Sequence, residues 1–199
     1  MTNLHLKKLI QINLYIFSQN KVGSQGVSNL AYLLPKFLNL SKLTLKLSVN
    51  KVAVLGATSL ASSLIDCKNI KTLKLILSHN FIDFKAISGF CLHLSKCTQL
   101  NALQLFLEFN NIGPQGAQEL GNALIGCYNL QSLKLDITGN SIGSKGSAVL
   151  GQILKNSKSI STFSIKFIDN SNDDLGQQQF VRGILKMKRL VTKHIQFYF

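Results

Sequence analysis

Arginine is almost missing from this chain. Arg182 and Arg189 are the only two among 22 basic residues, and lysine supplies the rest. Acidic residues are scarce as well, eight in all, which leaves a formal net charge of +14. Nucleic-acid and phosphate sites lean on the bidentate fork of arginine. A surplus made of lysine instead fits a solvated surface with a salt-sensitive pull on acidic partners. A specific nucleic-acid partner is therefore not expected. Charged residues make up 15% of the chain and hydrophobic ones 46%, a balance that excludes a disordered polypeptide. No apolar run approaches the roughly 18 residues that a membrane span needs. The opening stretch MTNLHLKKLIQINLYIF lacks a small-residue cleavage site, and Gln11 and Asn13 interrupt its apolar part, so it does not read as a secretion signal. A cytoplasmic location is the expectation.

Catalytic signatures are missing too. There is no Walker A motif, no GxGxxG and no HRD, and the DFK at Asp83 is not a kinase DFG. The glycines of NNIGPQGAQELG repeat elsewhere in the chain and belong to turns and helix packing. His5, His79, His93 and His194 are scattered, with no triad partner or metal-ligand spacing. No CxxC occurs. Cys67, Cys97 and Cys127 share one position at the end of successive helical stretches, and Cys91 takes a slot that Ala61 and Gly121 fill elsewhere. These read as buried, reduced thiols. No enzymatic activity, metal or cofactor is expected.

What the chain does have is a ruler. Asn20, Asn50, Asn80, Asn110, Asn140 and Asn170 stand 30 residues apart. Three, five and seven residues before these asparagines lie apolar residues, Asn13 excepted, such as Leu107, Leu105 and Leu103 ahead of Asn110. That alternation marks a strand with one buried face. Counted the same way from Asn20, Asn13 and Tyr15 take core positions while Leu14 and Ile16 point outward. After each asparagine the period changes. In the fourth unit Ala117, Leu120, Gly121 and Leu124 fall on one face of a helix, and Pro114 suits its first turn. Each unit is a strand, a turn and a helix that cannot bury its apolar face alone, so the units must stack. Parallel strands pack more closely than helices, and the stack bends with the strands on the inside.

The pattern LxxLxLxLxxNxIGxxGAxxLxxxLxxC resembles a leucine-rich repeat of the ribonuclease-inhibitor-like class. The resemblance runs from about Ile10 to Phe199. It implies an α/β solenoid with a curved parallel sheet on the concave side and helices on the convex side. Residues 1–199 then form one domain of six 30-residue repeats plus a terminal strand, or a fragment of a longer array. In that family the asparagine side chains form a ladder on backbone groups at the strand-to-turn bend. The common strand of the family reads LxxLxLxxN, two residues shorter than here, and no binding position is carried over.

The resemblance implies a non-catalytic scaffold that holds a protein partner on its concave face. Two alternatives stand beside it: a regulator of a small GTPase like the Ran GTPase activators, and a structural subunit of a large assembly such as an axoneme. Both arginines are expected in the last helix, away from the strand-to-turn edge. Outward strand positions supply the candidate face: Lys46, Ile76, Phe106, Asp136 and Lys166 in one row, Lys74 and Lys134 in a second, and His79, Glu108 and Phe109 near the bend. An apolar centre, Ile76–Phe106–Phe109, within a lysine rim is the anatomy of an interface. The last strand, LVTKHIQFYF, has Ile195 and Phe197 in core phase and no helix after it. An open end exposes core and strand edge, so another chain or further repeats are expected to cover it.

Overall fold

The structure is a computed structural model and describes residues 10–15, 21–171 and 173–196. Among these, seven strands of five residues alternate with six helices. The strands are β1 (Gln11–Tyr15), β2 (Lys42–Lys46), β3 (Thr72–Ile76), β4 (Ala102–Phe106), β5 (Ser132–Asp136), β6 (Thr162–Lys166) and β7 (Thr192–Gln196). The helices are α1 (Gly23–Leu33), α2 (Val54–Asp66), α3 (Phe84–Leu94), α4 (Gly113–Gly126), α5 (Gly143–Leu154) and α6 (Asp174–Leu185). A short 3-10 turn, Leu34–Lys36, extends α1.

All strands pair in parallel and in chain order, each with its sequence neighbours. From β2 onward the register is an offset of 30 residues, so Leu45, Leu75, Leu105, Leu135, Ile165 and Ile195 lie side by side. Identical offsets stack like on like. Leu43, Leu73, Leu103, Leu133 and Phe163 form a second buried row, and Leu47, Leu77, Leu107, Ile137 and Phe167 a third. The helices close this core from one side with Leu60, Phe90, Leu120, Leu150 and Phe180. Small residues set how closely the helices approach. A Cβ on Gly183 would fall 2.2 Å from the carbonyl oxygen of Gly151, so α5 and α6 meet backbone to backbone.

The first strand departs from the ruler. Ile12 pairs with Leu43 and Leu14 with Leu45, an offset of 31, while α1 keeps the offset of 30, with Val27 and Ala31 buried like Ala57 and Ala61. Leu14 therefore packs against the core, and Asn13 and Tyr15 are exposed, which reverses the phase read from Asn20. Burial decides the matter: Ile12 and Leu14 are the apolar pair of this strand, and a one-residue slip would turn both to water. Ile16, Asn20 and Phe197 lie outside the described residues. Of the arginines, Arg182 lies in α6, but Arg189 follows it in the turn before β7. Cys67, Cys91, Cys97 and Cys127 are free and buried. Burial pushes the thiols of Cys67 and Cys127 up to about 12 and that of Cys97 up to about 11, and it raises Cys91 further. No helix is long and apolar enough to cross a membrane among the described residues.

Candidate functional site

Because side chains alternate along a strand, the residues between the core leucines all stand on the other face of the sheet. The strand register places them in rows that cross the molecule. One row reads Tyr15, Lys46, Ile76, Phe106, Asp136, Lys166 and Gln196. The next reads Asn13, Thr44, Lys74, Gln104, Lys134, Ser164 and His194.

Phe106 sits at the middle of this face. The Lys74 ammonium lies 5.4 Å from its ring centroid and the Lys134 ammonium 5.5 Å. Each arrangement is a cation–π contact, worth about 0.5–1 kcal/mol at an exposed site. The same device recurs at the first strand, where Lys46 stands 4.4 Å from the ring centroid of Tyr15. The asparagine spacing puts Tyr15 in a core position, whereas the structure puts it on the face; its alternation with the apolar Ile12 and Leu14 is the signal that could have shown this. Ile76 lies between Lys46 and Phe106 in the row.

Of the two acids on this face, Asp136 is buried and Glu108 is half-buried. Asp136 is only 4% exposed and accepts the backbone N–H of Thr138 at 3.2 Å. Glu108 accepts the hydroxyl hydrogen of Ser78. Burial holds the Glu108 carboxyl above the usual range and nearby Asp136 adds to this, while the Ser78 bond and Lys166 pull the other way. Lys166 is exposed. The face thus offers lysines and apolar side chains, with the Asp136 carboxylate buried and Glu108 half-buried.

Behind the face, the asparagines staple one repeat to the next. The Asn80 Oδ1 accepts the N–H groups of Asn50 and Val52 at 3.0 and 2.9 Å, and its Nδ2 donates to the carbonyls of Leu47 and Leu77. Asn110 repeats this on Asn80, Ile82, Leu77 and Leu107. Asn140 takes Ile112, Leu107 and Ile137, and Asn170 takes Asn140, Ile142 and Ile137. The Asn50 amide donates to Ser48 within its own turn.

Just before each asparagine the backbone turns left-handed. Val49, His79, Phe109, Gly139 and Asp169 have φ of 56°, 51°, 53°, 64° and 52°. Their N–H groups still donate across the repeats, Val49 to Ser78, His79 to Glu108, Phe109 to Thr138 and Gly139 to Ile168. The side chains are held in a line along the strand-to-helix rim. The His79 and Phe109 rings stack at 4.5 Å, and Phe109 in turn covers Gly139, where a Cβ would meet its ring at 2.6 Å. Among the described residues no group of histidine, cysteine and acidic side chains could hold a metal ion.

Comparison with known proteins bears on the fold. No family model matches the chain, and no curated protein matches it. Among solved structures, leiomodin-1 actin-binding site 2 is similar over 82% of this chain and 86% of that one, with a TM-score of 0.57 and 14% identity. The fold is a leucine-rich-repeat solenoid. An internalin, inlF of Listeria monocytogenes, aligns over 96% of this chain and 62% of its own, at 14% identity and a TM-score of 0.36.

Proposed function

We propose that this solenoid is a non-catalytic scaffold whose outward sheet face holds a protein partner, in a cytoplasmic setting. The observation that carries the reading is the Phe106 ring flanked by Lys74 and Lys134 at the middle of the face. An aromatic anchor supplies affinity when an apolar knob covers it, and flanking charges mainly set the rate of encounter. The partner that fits has an apolar knob with acidic margins. Lys46, Lys166 and Ile76 extend the surface, and His79 and Phe109 continue it to the rim. Asp136 holds the bend through the Thr138 N–H, and Glu108 ties its strand end to Ser78 of the preceding repeat.

Leiomodin-1's similar segment bears the name of an actin-binding site, a precedent for a binding role on this fold. At 14% identity the likeness carries the fold and leaves the ligand open. The asparagine staples and the strand–helix unit of 30 residues support a place in the ribonuclease-inhibitor-like class. Buried free thiols suit a reducing compartment. A GTPase-activator role draws no support from the arginines, since Arg182 and Arg189 belong to α6 and the turn after it rather than to the strand-to-helix rim.

The test is affinity purification from the native cell with the wild-type chain and with Phe106→Ala, read by quantitative mass spectrometry. A partner retained by the first and lost by the second supports the reading. Partners that ignore the substitution refute it.

A further inference from the structure

The rim carries a pocket that shares His79 with the edge of the sheet face and does not include Phe106. Lys21, Val49, Lys51, His79 and Phe81 line a pocket of about 220 Å³ between the first three repeats. Four of these five residues have left-handed backbones, with φ of 51° at Lys21, 56° at Val49, 56° at Lys51 and 51° at His79. Lysine and valine gain nothing from that conformation, and a β-branched residue there is a true outlier. Such strain persists only where surrounding bonds over-determine it, and the same turn recurs at Phe109, Ser141, Asp169 and Ser171 in the later repeats. Here the bonds are visible. Val49 donates to Ser78 at 3.1 Å, His79 to Glu108 at 2.8 Å, and Phe81 to Val52 at 3.0 Å. The pocket is thus formed in advance, which lowers the ordering cost of binding.

Its walls have two chemistries. Val49 is 37% exposed and Phe81 64%, and the His79 ring is fixed by its stack on Phe109. Lys21 and Lys51 provide two cations, and neither makes an ion pair among the described residues. The volume is below the roughly 300–1,000 Å³ of pockets that enclose a whole small molecule, and it suits a single apolar side chain. Charge selects the rest of the occupant. A chain at +14 with unpaired lysines beside an apolar slot is complementary to carboxylates that flank an apolar residue.

We propose that this rim pocket binds an acidic peptide segment of a protein partner, seating one apolar side chain against Val49, His79 and Phe81 while neighbouring carboxylates pair with Lys21 and Lys51. A peptide is favoured over nucleic acid because the slot has no arginine and takes one side chain, whereas single strands need a groove with successive stacking platforms. The site goes beyond the sheet-face reading, and Phe106→Ala serves as the control that separates them.

The full chain is immobilised and used to select from a random dodecapeptide display library. The strongest peptide is then synthesised with a fluorophore and titrated into the wild type and into Phe81→Ser, Lys51→Glu and Phe106→Ala. Selected sequences should carry an apolar residue flanked by Asp or Glu. Phe81→Ser and Lys51→Glu should each weaken binding by at least about tenfold, the scale of an anchor residue, and Phe106→Ala should leave it unchanged. Both rim side chains are exposed, so circular dichroism should match the wild type for each variant. Selection of no acidic–apolar motif overturns the proposal. So does a peptide whose binding is lost with Phe106→Ala alone. Tighter binding of a single-stranded oligothymidylate with the same dependence on Phe81 would reassign the pocket to nucleic acid.

Discussion

The Lys74 ammonium lies 5.4 Å from the centroid of the Phe106 ring, one strand away on the outward face of the sheet. Lys134 lies 5.5 Å from the same centroid, so two ammonium groups share the ring. Neither lysine is needed for the core, so this contact can be dissected without unfolding the chain. Lys74→Glu should slow association with an acidic partner and lessen its dependence on salt, with little change in dissociation. Stopped-flow rates at two salt concentrations check this. An altered dissociation rate with unchanged association would contradict it.

The asparagine staples should cost more to lose than anything beside them. The Asn110 side chain satisfies the N–H groups of Asn80 and Ile82 and the carbonyls of Leu77 and Leu107. Asn110→Ala orphans these groups, at about 1–3 kcal/mol for an unsatisfied buried polar group. Gln104→Ala, on the partly exposed outward row, should cost under about 0.5 kcal/mol. Denaturant midpoints of the two variants decide. Equal shifts would mean that the staples are incidental.

Val49 gives a case in which removing a side chain should help. Its left-handed φ of 56° strains a β-branched residue, a cost of about 1–3 kcal/mol. Glycine adopts this φ freely but adds about 0.5–1 kcal/mol of unfolded-state entropy. Relief outweighs entropy, so Val49→Gly should stabilise the chain by about 1 kcal/mol while it removes one wall of the rim pocket. Thermal melts of the variant measure the gain, and a fall in the midpoint would show that Val49 is at ease where it stands.

The thiols set the alkaline limit. Cys67, Cys97 and Cys127 titrate at about 12, 11 and 12 in the folded chain because of burial, against 9.0 for a free thiol. As pH rises above 9 the unfolded chain loses these protons first, so it binds fewer protons than the native one and stability falls. The loss begins at the unfolded value and is complete once the folded value is passed. Urea midpoints should therefore drop between pH 8.5 and 11, and substituting these cysteines by alanine should flatten the fall. Thiol reagents at pH 8 should label the native chain slowly and the unfolded chain at once. Rapid labelling without unfolding would contradict the buried placement.

Most of the core was readable because two periods agree. The alternation of Leu103, Leu105 and Leu107 states the buried face, and Asn110 states where the strand ends, so the helix after it starts in a known phase. The asparagine ruler does not hold for β1, whose core-facing residues are Ile12 and Leu14 rather than Asn13 and Tyr15. Those two apolar residues are the ones the core needs, and they sit 31 rather than 30 residues before Leu43 and Leu45. The lysine-flanked ring was readable only as a list of outward residues, since the lean of a lysine over an aromatic ring is a choice of rotamer. The rim pocket was hidden for a stronger reason. Lysine and valine have no preference for left-handed backbone, so the φ of Lys21, Val49 and Lys51 has no signature in the residue types.

The most direct test places a photo-crosslinking amino acid at Gln104, beside Phe106 on the sheet face, and separately at Asn122, exposed on α4. Each protein is irradiated in native extract, with and without Phe106→Ala. A partner crosslinked from position 104, absent from position 122 and lost with Phe106→Ala is the result the account predicts. A partner captured from the α4 position and indifferent to Phe106 would contradict it.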